Sequence, residues 1–412
     1  MSHLQRLPHV EPPSDRRVAV RVTNDALRQV RAGHPWLFDQ SITSLGHDGA
    51  AGDLAVVFDQ KRRFAAIGLL DPDSPIRVRI LHAGAPRAID DDFWIDRIGA
   101  ALDRRGSLVD DPATTAYRCI HGENDGLPGL VVDRYADTAV VKIYTAAWLP
   151  HLPGVLDALV PLTGVDRVVL RGSRAVQGPR RAFAHPVALL GDLPDHPIGF
   201  AETGLQFEAD VVHGQKTGHF LDQRENRALV GGLAGGGSVL DVFCCTGGFS
   251  VHAAAGGATE VHSVDLSQPA LDTAKENMRR NSERVAAAAH RTTCGDAFDV
   301  LTSLARRGER YDVVVIDPPS FASRADQVGR ALSGYRRLTE LGLAVVRPGG
   351  MLVQSSCSSR VDEASFHTSI REAASESGHT LAEWRRTAHA IDHPVGFPEG
   401  AYLKTLFAQV DP

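Results

Sequence analysis

The stretch "SVLDVFCCTGGFSVHAAAG", residues 238–256, reads as an apolar strand that passes through a glycine turn directly into a helix. A strand followed by a helical crossover is the repeating unit of a parallel sheet covered by helices. Gly247 and Gly248 let backbone approach a ligand closely, and the helix start offers amides without helical partners. The turn is not GxGxxG, which argues against a dinucleotide site.

The same alternation continues downstream. "EVHSVDLS", "YDVVVIDPP" and "GGMLVQSS" are further apolar strands, separated by helix-length segments such as "QPALDTAKENMRRN". Residues 201–412 are therefore expected to form a Rossmann-like α/β domain with chemistry at the carboxyl ends of its strands. The proline cluster "GDLPDHPIGF" marks its boundary near residue 200. Ahead of it, residues 18–80 alternate short β-rich runs with turns, and "NDALRQVRAG" suggests one helix from an Asn24 cap to Gly33. Residues 1–87 read as a small, mostly β domain. Residues 88–200 read as a central α+β domain, with a helical "DDFWIDRIGAALDRRGSL" and then a β-β-α-β pattern in which "GENDGLPG" links two strands.

A chain of 412 residues, 43% hydrophobic and 23% charged, suits a soluble protein of two or three domains. The N-terminus has no apolar leader, and no run of 18 apolar residues occurs, so a cytoplasmic protein with no membrane partner is expected. The five cysteines (Cys119, Cys244, Cys245, Cys294 and Cys357) lack CxxC or paired spacing, which predicts reduced thiols and no metal site. The net charge of −6 hides local excess: residues 1–87 hold twelve Lys/Arg against nine Asp/Glu, and residues 165–185 hold five arginines and one aspartate. Those stretches could form a positive track for phosphates, or simply be solvated arginines.

The strand ends carry the candidate chemistry. Asp265, at the end of the second strand, can accept from both ribose hydroxyls of an adenosine; it can also cap the helix that starts near Ser267. Asp296, after a third strand, could accept from an adenine amino group. "VIDPPSF" is the most specific element, because Asp317 followed by Pro318 and Pro319 makes a stiff extended loop that holds carbonyls and a carboxylate before an amino-bearing base. Phe321 stands where it could stack on that base or pack into the core. Together these ends describe a class I methyltransferase using S-adenosylmethionine. The fifth strand ends in "SSCSS", where Cys357 sits among four serines.

With "GQKTGHFLDQREN" (214–226), "FCCTGGFSVHA", "VDLSQPALDTAKEN", "DPPSF", "SSCSS" and "DHPVGFPEGAYLK" (392–404), the chain resembles the bacterial 23S rRNA cytosine-C5 methyltransferase family. "HPWLF" matches that family's PUA-type RNA-binding domain, and "GENDGLPGLVVDRY" its central domain, so the resemblance spans nearly the whole chain. It implies transfer of a methyl group to C5 of a cytosine in large-subunit rRNA, with Cys357 as the nucleophile that adds to C6 and Asp317 on the N3 and amino edge. It implies a cofactor site made by Phe220, Asp222, Arg224, Asp241, Phe243, Thr246, Gly247, Gly248, Asp265, Asp296, Ala297 and Asp317. Pro318, Pro319 and Phe321 would face the base, and Lys404 an RNA phosphate. Arg224 would meet the cofactor carboxylate; the alternative is a cap at Asp222 with Arg224 exposed. Serine hydroxyls and backbone amides near Cys357 would stabilise its thiolate. Related RNA methyltransferases have a second cysteine after the DPP-like proline, where this chain has Ser320, so the base that removes the C5 proton stays open. A homodimer is compatible with the sequence. An rRNA guanine-N2 methyltransferase, needing no thiol, and a catalytically inactive RNA-binding assembly factor are the rival readings.

Overall fold

The computed structural model describes residues 10, 12–177, 183, 185–214, 216–322 and 324–411. Arg180 and Arg181 of the arginine-rich run, and Gln215, lie outside them. The chain divides into two compact units, one of residues 1–200, 209–219 and 391–397, the other of residues 201–208, 220–390 and 398–412.

The first unit contains a six-stranded sheet in the spatial order Trp36–Phe38, Ile76–Ala83, Phe64–Leu70, Leu54–Phe58, Val18–Val22, Ile42–Leu45. Its helix, Asn24–Arg31, is capped one residue earlier than expected: Thr23 Oγ1 accepts from Ala26 N at 3.3 Å. A five-stranded sheet follows, in the order Val187–Leu190, Arg167–Gly172, Thr138–Ile143, Leu130–Tyr135, Ala116–His121. It has one more strand before its helix Leu152–Thr163 than the β-β-α-β pattern, and an added edge strand after it. Within this unit one apolar cluster links the two sheets, running from Leu54, Ile67 and Leu81 through Trp94 and Trp148 to Leu170 and Leu189. Trp36 of "HPWLF" is half-buried, donating from Nε1 to Glu123 Oε1 at 2.9 Å and meeting the Phe397 ring edge-on.

The second unit is the α/β body. Its elements are α1 (Arg224–Leu233), β1 (Ser238–Val242), α2 (Gly248–Ala255), β2 (Glu260–Asp265), α3 (Gln268–Arg280), β3 (Ala289–Cys294), α4 (Ala297–Arg306), β4 (Tyr311–Ile316), α5 (Val328–Leu343), β5 (Val346–Ser356), α6 (Glu363–Glu376), β6 (Leu381–Thr387) and β7 (Lys404–Val410). They form a seven-stranded sheet in the order β3-β2-β1-β4-β5-β7-β6. β3 to β5 run parallel, and β7 is antiparallel to both β5 and β6. Val239, Leu240, Val242, Val313, Val314 and Val315 are buried, as strands covered on both faces must be. Strand order reverses between β2-β1 and β4-β5, and the carboxyl ends of the strands at such a reversal are the usual ligand position in these sheets.

Candidate functional site

The turn after β1 is strained. Phe243 (φ 64°), Cys245 (φ 49°) and Gly247 (φ 76°) all adopt left-handed backbone, a conformation that costs non-glycine residues free energy and that clusters at ligand sites. Gly247 is required: a Cβ there would fall 2.7 Å from the Ala274 Cβ. The turn is clamped to β2, where Asp265 Oδ2 accepts from Cys245 N at 2.9 Å and Oδ1 from Ser267 N at 2.8 Å. The cap of α3 is Ser267 itself, whose side chain accepts from Ala270 N, rather than Asp265. Asn277 Nδ2 on α3 donates to Thr246 O at 2.9 Å.

Asp241 is fully buried. Its Oδ2 accepts from Ser250 N at 3.0 Å and from Ser250 Oγ at 2.6 Å, while Oδ1 has no hydrogen-bond partner among the described residues. Burial, partly offset by Ser250, pushes this carboxyl up to about 7. A buried acceptor without a partner, beneath a glycine turn and a helix start, suits a ligand that brings a cation or donors of its own. Asp296 is exposed and caps α4, its Oδ1 accepting from Phe298 N at 2.9 Å and Asp299 N at 3.3 Å, with Ala297 buried as the first helical residue. Both carboxylates accept local backbone amides with part of their acceptor capacity, which leaves room for hydroxyl or amino donors of a ligand.

The ends of β4 and β5 come together. Cys357 Sγ lies 3.7 Å from Pro318 O. Pro318 is buried, Pro319 exposed and Cys357 half-buried. Three of the four serines around the cysteine have other partners for their hydroxyls. Ser358 Oγ meets Phe321 N at 3.1 Å, Ser320 Oγ at 3.1 Å and Tyr335 OH at 3.0 Å; Ser356 Oγ meets Tyr335 OH at 2.8 Å, and Ser355 Oγ meets Thr405 Oγ1 at 2.8 Å. Ser358 fastens the cysteine loop to the DPPSF loop, while Ser356 and Ser355 tie it to Tyr335 and Thr405. Phe321 packs on Tyr335, ring centroids 5.1 Å apart, so its ring is part of the apolar cluster around α5.

Asp317 has a partner that spacing alone did not reveal: Gln223 Nε2 donates to its Oδ1 at 2.9 Å. Gln223 Oε1 accepts from Asn226 Nδ2 at 2.6 Å, Asn226 Nδ2 reaches Thr405 Oγ1 at 3.1 Å, and Thr405 meets Ser355. A polar chain thus joins Asp317 to the strand that carries Cys357. Asp222 is buried and its Oδ2 accepts from Tyr402 OH at 2.8 Å. Arg224 is 3% exposed, so the exposed-arginine alternative does not hold, and Phe220 is half-buried at the entry of this segment. Gly248 is packed close, a Cβ there falling 2.7 Å from Arg227 Cδ.

Lys404 corrects an expectation. It does not face outward to a phosphate: it is 5% exposed, and Nζ donates to Ser358 O at 2.6 Å and Val361 O at 2.5 Å. Among the other thiols, burial pushes Cys119 up to about 12, Cys245 up to about 11 and Cys244 well above the usual range. Cys294 is exposed at the end of β3, on the sheet edge away from β4. Among the described residues no group of three His, Cys, Asp or Glu could hold a metal ion.

Residues 180–397 match the family described as S-adenosylmethionine-dependent methyltransferase, and residues 20–83 match the PUA-like domain. The chain is 44% identical over 401 residues to a ribosomal RNA large subunit methyltransferase of Deinococcus radiodurans, covering 96% of this chain and 98% of that protein. It is 35% identical over 380 residues to ribosomal RNA large subunit methyltransferase I of Photobacterium profundum, covering 92% and 95%. Among solved structures, a SAM-dependent methyltransferase from Streptococcus mutans shares the fold with a TM-score of 0.80 at 22% identity, over 95% of this chain and 99% of that one.

Proposed function

We propose, since the chain belongs to the PUA-bearing, S-adenosylmethionine-dependent ribosomal RNA large subunit methyltransferases, that it methylates C5 of a cytosine in 23S rRNA through a transient bond between Cys357 and C6. The cofactor is S-adenosylmethionine, which supplies an electrophilic methyl group on a sulfonium. The cofactor residues would be Asp241, Phe243, Thr246, Gly247 and Gly248 around the β1 turn, Asp265, Asp296 and Ala297 at the next strand ends, and Phe220, Asp222, Arg224 and Asp317 at the methionine end. The unpartnered Asp241 oxygen and the strained glycine turn support that assignment.

Cytosine C5 is a weak nucleophile, and addition of a thiolate to C6 makes it an enamine carbon. C5 then takes the methyl group, a base removes the C5 proton, and the thiolate leaves as the double bond returns. Asp317 would hold the N3 and amino edge, with Pro318 and Pro319 shaping the loop. The observation that carries this reading is the 3.7 Å approach of Cys357 Sγ to Pro318 O, which sets the half-buried thiol beside the Asp317 loop. Residues 1–87 and 88–200 would bind RNA by phosphate and shape, presenting one flipped cytosine to residues 201–412. No helix of the described residues is long and apolar enough to cross a membrane, and a cytoplasmic site of action suits an rRNA substrate.

The test uses 23S rRNA, methyl-labelled cofactor and nucleoside mass spectrometry. Label is expected in 5-methylcytidine; label in N2-methylguanosine would replace this reading with the nitrogen-directed one. Cys357→Ala is expected to fall below about 1% of the wild-type rate, as loss of a covalent nucleophile does, and activity near wild type would remove the covalent mechanism.

A further inference from the structure

The residue before Cys357, Ser356, pairs in register with Lys404 on β7. The Lys404 ammonium is buried, and two of its three donors are spent on the carbonyls of Ser358 and Val361, both in the loop that leaves Cys357. Carbonyl dipoles alone leave a full positive charge in a site poor in water, and such a charge needs an anion nearby. The carboxylates in its surroundings are poor candidates: Asp362 caps α6 through Ser365 at the surface, and Glu363 is 62% exposed. The hydroxyls of Ser355, Ser356 and Ser358 are engaged with Thr405, Tyr335 and the DPPSF loop.

We propose that Lys404 is the positioning residue that keeps Cys357 a thiolate, pinning the loop after the cysteine through two carbonyls and supplying the positive charge that the sulfur needs. The inference deepens the reading of Cys357 as nucleophile and rests on it. Burial draws Lys404 down to about 8, and Cys357 comes first among the groups that hold it up, ahead of Asp362 and Glu363. Two further titratable groups face this corner, Asp317 on the β4 loop and Tyr335 on α5, whose hydroxyl binds Ser356 and Ser358. The Asp317 carboxylate opposes a thiolate, Tyr335 is held neutral by burial above its ordinary 10, and Lys404 supplies a positive charge that favours the thiolate.

The experiment is the pH dependence of iodoacetamide alkylation at Cys357 in the full chain without RNA, read by peptide mass spectrometry, with exposed Cys294 as internal control. Wild type is expected to show a midpoint below the roughly 8.5 of a free thiol. Lys404→Met is expected to raise that midpoint by at least one pH unit and slow alkylation at pH 7 about tenfold, with the high-pH plateau and Cys294 unchanged. Lys404→Arg, which keeps the charge, is expected to stay nearer wild type than Lys404→Met. A wild-type midpoint at or above 8.5, which needs no variant to fold, overturns the proposal, as does an unshifted midpoint in Lys404→Met. If Cys357→Ala methylates RNA normally while the midpoint shift is present, the nucleophile reading falls and the Lys404–Cys357 coupling stands.

Discussion

At Asp241 a single buried atom ties the proposed cofactor site to stability. With its carboxyl pushed from 3.8 up to about 7, the folded chain holds a proton there between about pH 4 and 7 that the unfolded chain has released. Stability from this group is therefore complete below about pH 4 and is lost as pH rises through about 7, a difference of roughly 4 kcal/mol at 1.36 kcal/mol per pH unit. Other groups act in the opposite sense: His262, drawn down to about 4 by burial, costs stability as pH falls below its ordinary 6.5. The informative quantity is thus the difference from Asp241→Asn, which mimics the protonated acid. Without cofactor, the wild type is expected to lose melting temperature relative to that variant between pH 5 and pH 8. A difference that stays constant with pH would mean that Asp241 is already ionised. The sequence showed a carboxylate in the first strand, but not that one of its oxygens would lack a partner, because that depends on Ser250 satisfying only the other one.

Among the elements, the strand ends were legible and the bonds that lock them were not. β1, β2, β4 and β5 announce themselves as apolar runs because both faces of a parallel sheet are buried, and the glycine turn and DPP loop mark where they stop. The Gln223–Asp317 bond and the Ser358 contacts join positions far apart in sequence, so spacing carries no trace of them. Lys404 was misplaced for a related reason: a lysine reads as surface until its strand partner is known, and here the register puts it opposite Ser356. The β1 turn gives the sharpest test at this scale. Gly247→Ala must adopt φ near +76° and bring a methyl 2.7 Å from Ala274 Cβ. Backbone strain of about 1–2 kcal/mol and crowding of about 1–3 kcal/mol follow. The expected result is a lowered melting temperature together with at least tenfold weaker S-adenosylmethionine binding by calorimetry. Unchanged affinity in a folded variant would show that the turn serves packing alone.

The division of the whole molecule is less sequential than the three consecutive segments suggest, since residues 391–397 join the first unit although β6 and β7 flank them. "IDHPVGF" looks like a loop between two strands, and nothing local in it signals a buried anchor. Asp392 is nevertheless fully buried: its Oδ2 accepts from Arg118 N at 2.8 Å, and its carbonyl accepts from Arg105 Nη2 at 3.2 Å. Arg105 is itself locked to Asp125 of "GENDG" by bonds of 3.0 and 2.7 Å, with both side chains fully buried. The motif read as a turn is thus held by a charge pair to which the returning segment adds a carbonyl. Asp392→Ala removes the side-chain acceptor of the partly buried Arg118 amide, a loss of about 1–3 kcal/mol. Two units need not unfold together, so a single melting curve is a poor measure, and amide hydrogen exchange resolves the effect by region. Protection is expected to fall in Ala116–His121 and Leu130–Tyr135 and to stay at the wild-type level in β1 and β4. Equal loss in both sets would mean that the segment supports the second unit as much as the first, and the division drawn at residues 391–397 would be wrong.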